Sequence, residues 1–196
     1  LIMKKIILGL LMTVFLVGTL TACGKDKEEN KVKADLQNFA EELGNIQDEH
    51  DVAINTYNSY FVNGGMSSDE LLTAMNDTIL PNFEAYIADL KDIEVTTDEV
   101  KNLKSLYSTF IDSQYEALKK TADAIESVDS AKLTDADILF QEASTEYDAY
   151  KTELRKLADE NKITIKSAEP TSEVASTEAT EATEATEATE ATTVAE

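Results

Sequence analysis

Three kinds of residue in this chain have chemistry to offer beyond packing and solvation: one cysteine, one histidine and seven tyrosines. Cys23 stands at the end of an apolar run, directly after Leu20-Thr21-Ala22, and no second cysteine exists to pair with it. His50 stands within Asp48-Glu49-His50-Asp51. Neutral imidazole is a common metal ligand, so this cluster is the one place where an ion is conceivable. Carboxylate di-metal bundles need two Glu-x-x-His pairs from separate helices. A single histidine, with Gln47 where the glutamate would stand, excludes that site in its usual form. His50 also falls on an apolar seam, so a packed histidine is the favoured reading and a metal ligand the weak one. Asp129 to Phe140 lacks ligands at the third and fifth positions of a calcium loop and glycine at the sixth. No nucleophile elbow, phosphate loop or zinc spacing is present. With 39 acidic residues, no carboxylate pair stands out for hydrolysis. The chain therefore reads as a non-enzyme without metal or cofactor. Tyr57 and Tyr60, beside Gly64 and Gly65, are the candidates for partner contact, because an aromatic ring with a polar tip suits an interface. The same pattern suits a tyrosine that buries its ring in a bundle seam and wets its hydroxyl, as do Tyr147 and Tyr150.

The segment that carries Cys23 has its own physics. Lys4 and Lys5 follow Met3, Ile6 to Leu20 is apolar apart from Gly and Thr, and small residues precede the cysteine. A cationic start, a short apolar run and a small-residue site describe a secretory signal. Ile6 to Ala22 is at the bottom of the range of about 17–25 residues that spans a bilayer. Leu1 and Ile2 lie ahead of a more natural start at Met3 and are left out of the fold reasoning.

Leu20-Thr21-Ala22-Cys23 resembles the lipobox of bacterial lipoproteins with a type II signal peptide. The resemblance covers Met3 to about Gly24. It implies that the Cys23 thiol receives a diacylglycerol, that cleavage follows before the cysteine, and that the new amine is often acylated as well. Two or three acyl chains such as palmitate hold firmly, since each buried CH₂ contributes ~0.8 kcal/mol. The resemblance further implies export and a lipid anchor on the extracytoplasmic face of the cell membrane. With Gly24 rather than Asp after the cysteine, a two-membrane cell would carry the protein to its outer membrane. The only non-protein group expected is the covalent lipid on Cys23.

Composition divides the chain into residues 1–22 as removed signal, 23–30 as lipidated cysteine and linker, 31–166 as folded domain, and 167–196 as a biased tail. The formal net charge is −22. Such a surface repels nucleic acid and anionic headgroups. Between residues 31 and 166 the only glycines and prolines are Gly44, Gly64, Gly65 and Pro81. That scarcity argues against many tight turns, and periodicity decides for helix.

Four helices are expected. The first carries Val32, Leu36, Phe39, Leu43, Ile46, His50, Ala53, Tyr57 and Tyr60 on one unbroken heptad seam. The second opens on a capping box, Ser67 to Glu70, and is kinked by Pro81. The third opens on a second capping box, Thr96 to Glu99, with a stripe from Val100 to Val128. The fourth runs from about Asp135 to Glu160 through Ala136, Phe140, Ala143, Tyr147, Tyr150, Leu154 and Leu157. Leu43, Phe83, Phe110 and Phe140 should be buried, and the β-prone Ile163-Thr164-Ile165 should cover the bundle end. The predicted class is all-α: an antiparallel up-down four-helix bundle with a kinked second helix and a disordered C-terminal tail. In that tail Thr-Glu-Ala repeats five times from Thr177 to Ala191. It has too few large apolar residues to offset its own ordering entropy.

The reading of function is a membrane-anchored extracytoplasmic lipoprotein, a binding or structural module of the cell envelope. Membrane lipid is its partner through the acyl anchor, with an envelope protein or wall component as the soluble partner and no nucleic acid. The rival is a solute- or metal-binding accessory lipoprotein of a transporter, which typically needs two α/β lobes and about twice this length.

Overall fold

The computed structural model describes residues 14–17, 27–62 and 67–167. In chain order these are β1 (Val14–Val17), α1 (Lys27–Asn45), α2 (Gln47–Val62), α3 (Ser68–Ala74), a π-helical segment (Met75–Ile79), α4 (Leu80–Asp92), α5 (Asp98–Glu126), α6 (Ser130–Glu160) and β2 (Thr164–Ser167). The class is all-α, apart from an antiparallel pairing of β1 with β2 that runs from Val14 opposite Ser167 to Val17 opposite Thr164. β2 takes up the expected β-prone segment. The partner strand lies inside the segment set aside as signal.

The first long helix is broken where one was expected. α1 stops at Asn45, and Ile46 is a turn residue whose amide still reaches the Glu42 carbonyl at 3.3 Å. Gly44 weakens the helix there by roughly 1 kcal/mol relative to alanine. Asp48 and Glu49 then open α2, where the positive end of the helix dipole favours them. The seam survives the break: Leu36, Phe39, His50, Ala53 and Tyr57 are all buried. Leu43, expected in the core, is only half-buried and packs against its edge. Phe83, Phe110 and Phe140 are buried as expected.

The capping box at Ser67 forms in full. The Glu70 amide donates to Ser67 Oγ at 3.3 Å, and the Ser67 amide donates to Glu70 Oε2 at 2.7 Å. The helix that follows meets Pro81, whose missing N–H would orphan the Asp77 carbonyl in a regular α-helix. The chain answers with a wider turn over Met75–Ile79. There the Leu80 amide donates to the Met75 carbonyl, five residues back. Asn82 Nδ2 adds a bond to the Thr78 carbonyl at 2.7 Å. The proline thus sits in the first turn of α4, where it is tolerated.

α6 starts five residues earlier than expected, at Ser130, because Asp129 caps it: the Ala131 amide donates to Asp129 Oδ1 at 2.9 Å. Val128, expected on the α5 stripe, is instead 91% exposed in the loop. Both long helices close with the same paired backbone bonds. At the end of α5, the Asp129 amide donates to Ala124 O at 3.0 Å and the Val128 amide to Ile125 O at 3.2 Å. At the end of α6, the Ile163 amide donates to Ala158 O at 2.8 Å and the Lys162 amide to Asp159 O at 3.2 Å. This Schellman turn needs a left-handed residue, usually glycine. Val128 (φ 52°) and Lys162 (φ 55°) fill the position here.

α5 touches α1, α3, α4 and α6. Its buried face is wider than the predicted stripe and includes Ile111, Gln114 and Ala117. A row of rings joins α5 to α6: Tyr107 lies 4.9 Å from Tyr150 and Phe110 4.8 Å from Tyr147, centroid to centroid.

A β-branched side chain at positive φ is strained and, in the loop, gains nothing from burial. Val128→Gly should therefore raise the unfolding free energy by about 1 kcal/mol, read as a higher urea midpoint at unchanged slope.

Candidate functional site

Two polar residues on two apolar seams find each other in the core. His50 is 4% exposed and Gln114 is 2% exposed. His50 Nε2 lies 3.4 Å from Gln114 Oε1, and Gln47 Nε2 lies 3.0 Å from His50 Nδ1. Gln47 Nε2 also donates to Asp51 Oδ1 at 3.2 Å. The His50 ring holds the Asp51 carboxyl below the ordinary aspartate range, against the opposing effect of burial and with help from Gln47. Phe83 and Tyr86 close the other sides of the imidazole, with ring centroids at 5.2 and 5.0 Å. Both ring nitrogens are thus engaged by amides. Among the described residues no group of three histidine, cysteine or acidic side chains is placed to hold an ion.

Beyond Tyr86 the polar line continues. Tyr86 and Tyr107 share a 2.7 Å hydrogen bond between hydroxyls, and the Tyr150 ring lies tilted against that of Tyr107. Burial pushes the phenols of Tyr86, Tyr107 and Tyr150 well above the ordinary tyrosine range. They stay neutral, and Tyr86 and Tyr107 act as hydrogen-bonded core. The ring of Tyr57 is 1% exposed, so it fills the core and is not presented to a partner, contrary to expectation. Burial raises its phenol too, against a hydrogen bond with Thr121.

Tyr60 is different. It is half-buried, and its hydroxyl donates to the Glu70 carbonyl at 2.8 Å, tying the end of α2 to α3. It lines an open groove of about 430 Å³ with Asp69, Glu70, Thr73, Ala74, Asp77 and Thr78. The groove offers carboxylates, a phenol ring and hydroxyls, and among the described residues no basic side chain lines it. Gly64 and Gly65, the other expected contact residues, lie outside the described residues. So do Leu20, Thr21, Ala22 and Cys23.

The start of α5 departs from the sequence reading. No box forms between Thr96 and Glu99. Asp35, from α1, takes the role from 61 residues away. The Thr96 amide donates to Asp35 Oδ1 and Oδ2 at 3.0 Å each, and the Thr97 amide and hydroxyl donate to Oδ2 at 2.8 and 2.6 Å. Burial works to raise the Asp35 carboxyl, but the bonds from Thr97 and Thr96 outweigh it and hold it below the ordinary range. On the other side of this turn, Lys104 Nζ donates to the carbonyls of Lys91 and Ile93, closing the end of α4. The turn over residues 93–97 is therefore tied down from both flanks.

Sequence reasoning missed Gln114 and Asp35. Gln114 had a signal: it continues the four-three spacing of Val100, Leu103, Tyr107 and Phe110, as His50 does on its own helix. Two polar interruptions of two apolar seams point to a mutual pair. Asp35 had none, since a surface aspartate one residue before Leu36 looks like any other.

Neither a family model, nor a curated protein, nor a solved structure matches this chain.

Removing one member of the buried pair strands the other. His50→Leu and Gln114→Leu should each cost about 1–3 kcal/mol. The double variant should cost less than the sum of the two, because no polar partner is left behind. Denaturant titrations of the four proteins measure this.

Asp35 also sets an acid limit. A carboxyl whose folded pKa is lowered stabilises the fold above its unfolded pKa, and that stability is lost as pH falls through the folded value. The wild type should lose this contribution below about pH 4. Asp35→Ala should cost about 1–2 kcal/mol at pH 7 and show a flatter decline in acid, read from melts across pH 2.5 to 7.

Proposed function

We propose that this chain is a membrane-anchored extracytoplasmic lipoprotein, held through acylated Cys23, whose soluble part is an antiparallel up-down four-helix bundle serving as a binding or structural module of the cell envelope. The observation that carries the reading is Leu20-Thr21-Ala22-Cys23 closing a short apolar run behind Lys4 and Lys5. Among the described residues no helix is long and apolar enough to cross a membrane.

The order of contacts supports the bundle topology. Taken as arms, residues 27–62, 68–92, 98–126 and 130–160 are four. Between the first and second, His50 meets Phe83 and Tyr86 while Asp35 meets the turn that follows Asp92. Between the second and third, Tyr86 meets Tyr107 and the earlier Phe83 meets the later Tyr115. Between the third and fourth, Tyr107 meets Tyr150 and Phe110 meets Tyr147. Successive arms therefore run in opposite directions. The first and third run together, since Asp35 meets Thr97 and His50 meets Gln114.

This layout has a consequence at the bilayer. α1 begins at Lys27, so only Gly24 to Asp26 separates it from the lipidated cysteine. Three residues reach at most about 10 Å. The domain then stands close to the surface, and the turn at 93–97 faces the membrane. The end carrying Tyr60, its acidic groove and the turn at Val128 faces away. That outer end is the contact surface for a soluble envelope partner.

Cell fractionation tests the anchor. Wild type should pellet with membranes and take up an acyl label at Cys23, and Cys23→Ser should take up none and be released. A Cys23→Ser protein that stays with membranes, beside an unlabelled wild type, would show the reading to be wrong.

A further inference from the structure

β2 owes its place to the helical domain. Lys162 turns the chain at positive φ, the Ile163 amide closes on the Ala158 carbonyl, and Ile163 sinks into the core at 6% exposure. Ile165 packs half-buried against the same core. The strand is thus laid down by the end of α6. Its edge is filled by Val14–Val17, which also borders α1. Among the described residues β2 has no other strand neighbour.

On the anchoring reading, cleavage before Cys23 removes Val14–Val17. β2 then keeps its position but loses the partner of its edge amides and carbonyls. We infer that this edge is a strand-accepting docking site, which in the processed chain takes an extended apolar segment of a partner protein, antiparallel to Thr164–Ser167. The inference rests on the proposed processing at Cys23. Main-chain hydrogen bonds would supply affinity, and the chemistry of the occupant is given by the segment that fills the place now, Val-Phe-Leu-Val. Within residues 24–196 the only run of four apolar residues is Ala85–Ala88, which is committed to α4. These residues therefore do not supply the occupant, and the proposal assigns it to a partner protein. An edge left open would otherwise be an aggregation hazard.

The test compares wild-type protein purified from membranes with unprocessed full-length Cys23→Ala protein, both in lipid nanodiscs. The probe is a labelled peptide of residues 13–18 with flanking lysines. Amides of Thr164–Ser167 should exchange at least tenfold faster in the processed protein, and the peptide should restore their protection. The peptide should bind the processed protein saturably and the unprocessed one at least tenfold more weakly. Neighbouring strand residues point their N–H groups to opposite edges. Of Ile165→Pro and Lys166→Pro, one should therefore abolish peptide binding and the other retain it. The same alternation can be read without touching the protein, from peptides carrying proline in place of Phe15 or Leu16. Equal binding of all peptides, or binding of none, overturns the inference while leaving the anchor intact. Slow exchange in the processed protein that depends on its concentration overturns it in favour of self-pairing. An intact mass that retains residues 1–22 in wild type overturns the anchoring reading itself, and the vacant edge with it.

Discussion

The buried face of α5 is the contact that α1, α3, α4 and α6 share. Ile111, Leu118 and Leu103 are 0–1% exposed, and the helix that carries them lies against α1, α3, α4 and α6. No covalent staple assists, because the only cysteine precedes the domain. A domain of this size can rely on packing alone, since well over half of the surface of its unfolded chain disappears on folding. The wide face of α5 explains why. A seam confined to a/d positions serves one or two neighbours. A face broadened by Ile111, Ala117 and Ala124 serves several, and its alanines let the neighbouring helices approach closely.

That breadth is also where sequence periodicity was least informative. Reading α6 was straightforward, because Ala136, Phe140, Ala143, Tyr147, Tyr150, Leu154 and Leu157 step by four and three and all are buried. One-sided helices announce their face. α5 keeps an exposed stripe through Asn102, Thr109, Glu116 and Asp123, but its buried face takes in more than the four-three positions, so the edges of the stripe blur, and Val128 was counted on it although the chain had already turned. The Ser67 cap was legible because both partners lie within one turn of helix. The α5 cap was not, because its acceptor is Asp35, across a hydrogen bond that only the tertiary fold creates. Local chemistry reads locally; the missed site residues are those whose partners lie 60 or more positions away, as Asp35 does from Thr96 and His50 from Gln114.

The polar core raises a further point about specificity. A leucine at position 50 and another at 114 would pack without needing partners. The pair present instead demands that α2 and α5 meet in one register, since a shift of either helix would leave an imidazole or an amide buried and unbonded. The Tyr86–Tyr107 hydroxyl bond makes the same demand of α4 and α5. Three arms are thus registered by two buried hydrogen-bonded contacts, and the Asp35 clasp registers the first arm a second time. The proline in the second arm is absorbed by a wider helical turn without loss of these contacts, because Phe83 and Tyr86 both lie beyond it.

The distribution of fixed and free features bears on how such a domain would work at a surface. Its interior tyrosines are held neutral by burial, and the buried His50 ring is engaged by Gln47 and Gln114. Outside lie an acidic coat and a carboxylate-lined groove at Tyr60; on the proposed processing the edge of β2 would be open as well. On the anchoring reading the coat would keep the domain away from anionic headgroups, and a tether of three residues would hold it within about 10 Å of the lipid. Repulsion and tether would then act together and favour an upright domain, with its outer end turned from the bilayer. A protein arranged in that way would act through what it presents, and the two surfaces would differ in kind. The groove would select by charge and the strand edge by backbone geometry, so a partner that used both would have to offer a basic side chain to one end of the bundle and an extended apolar segment to the other.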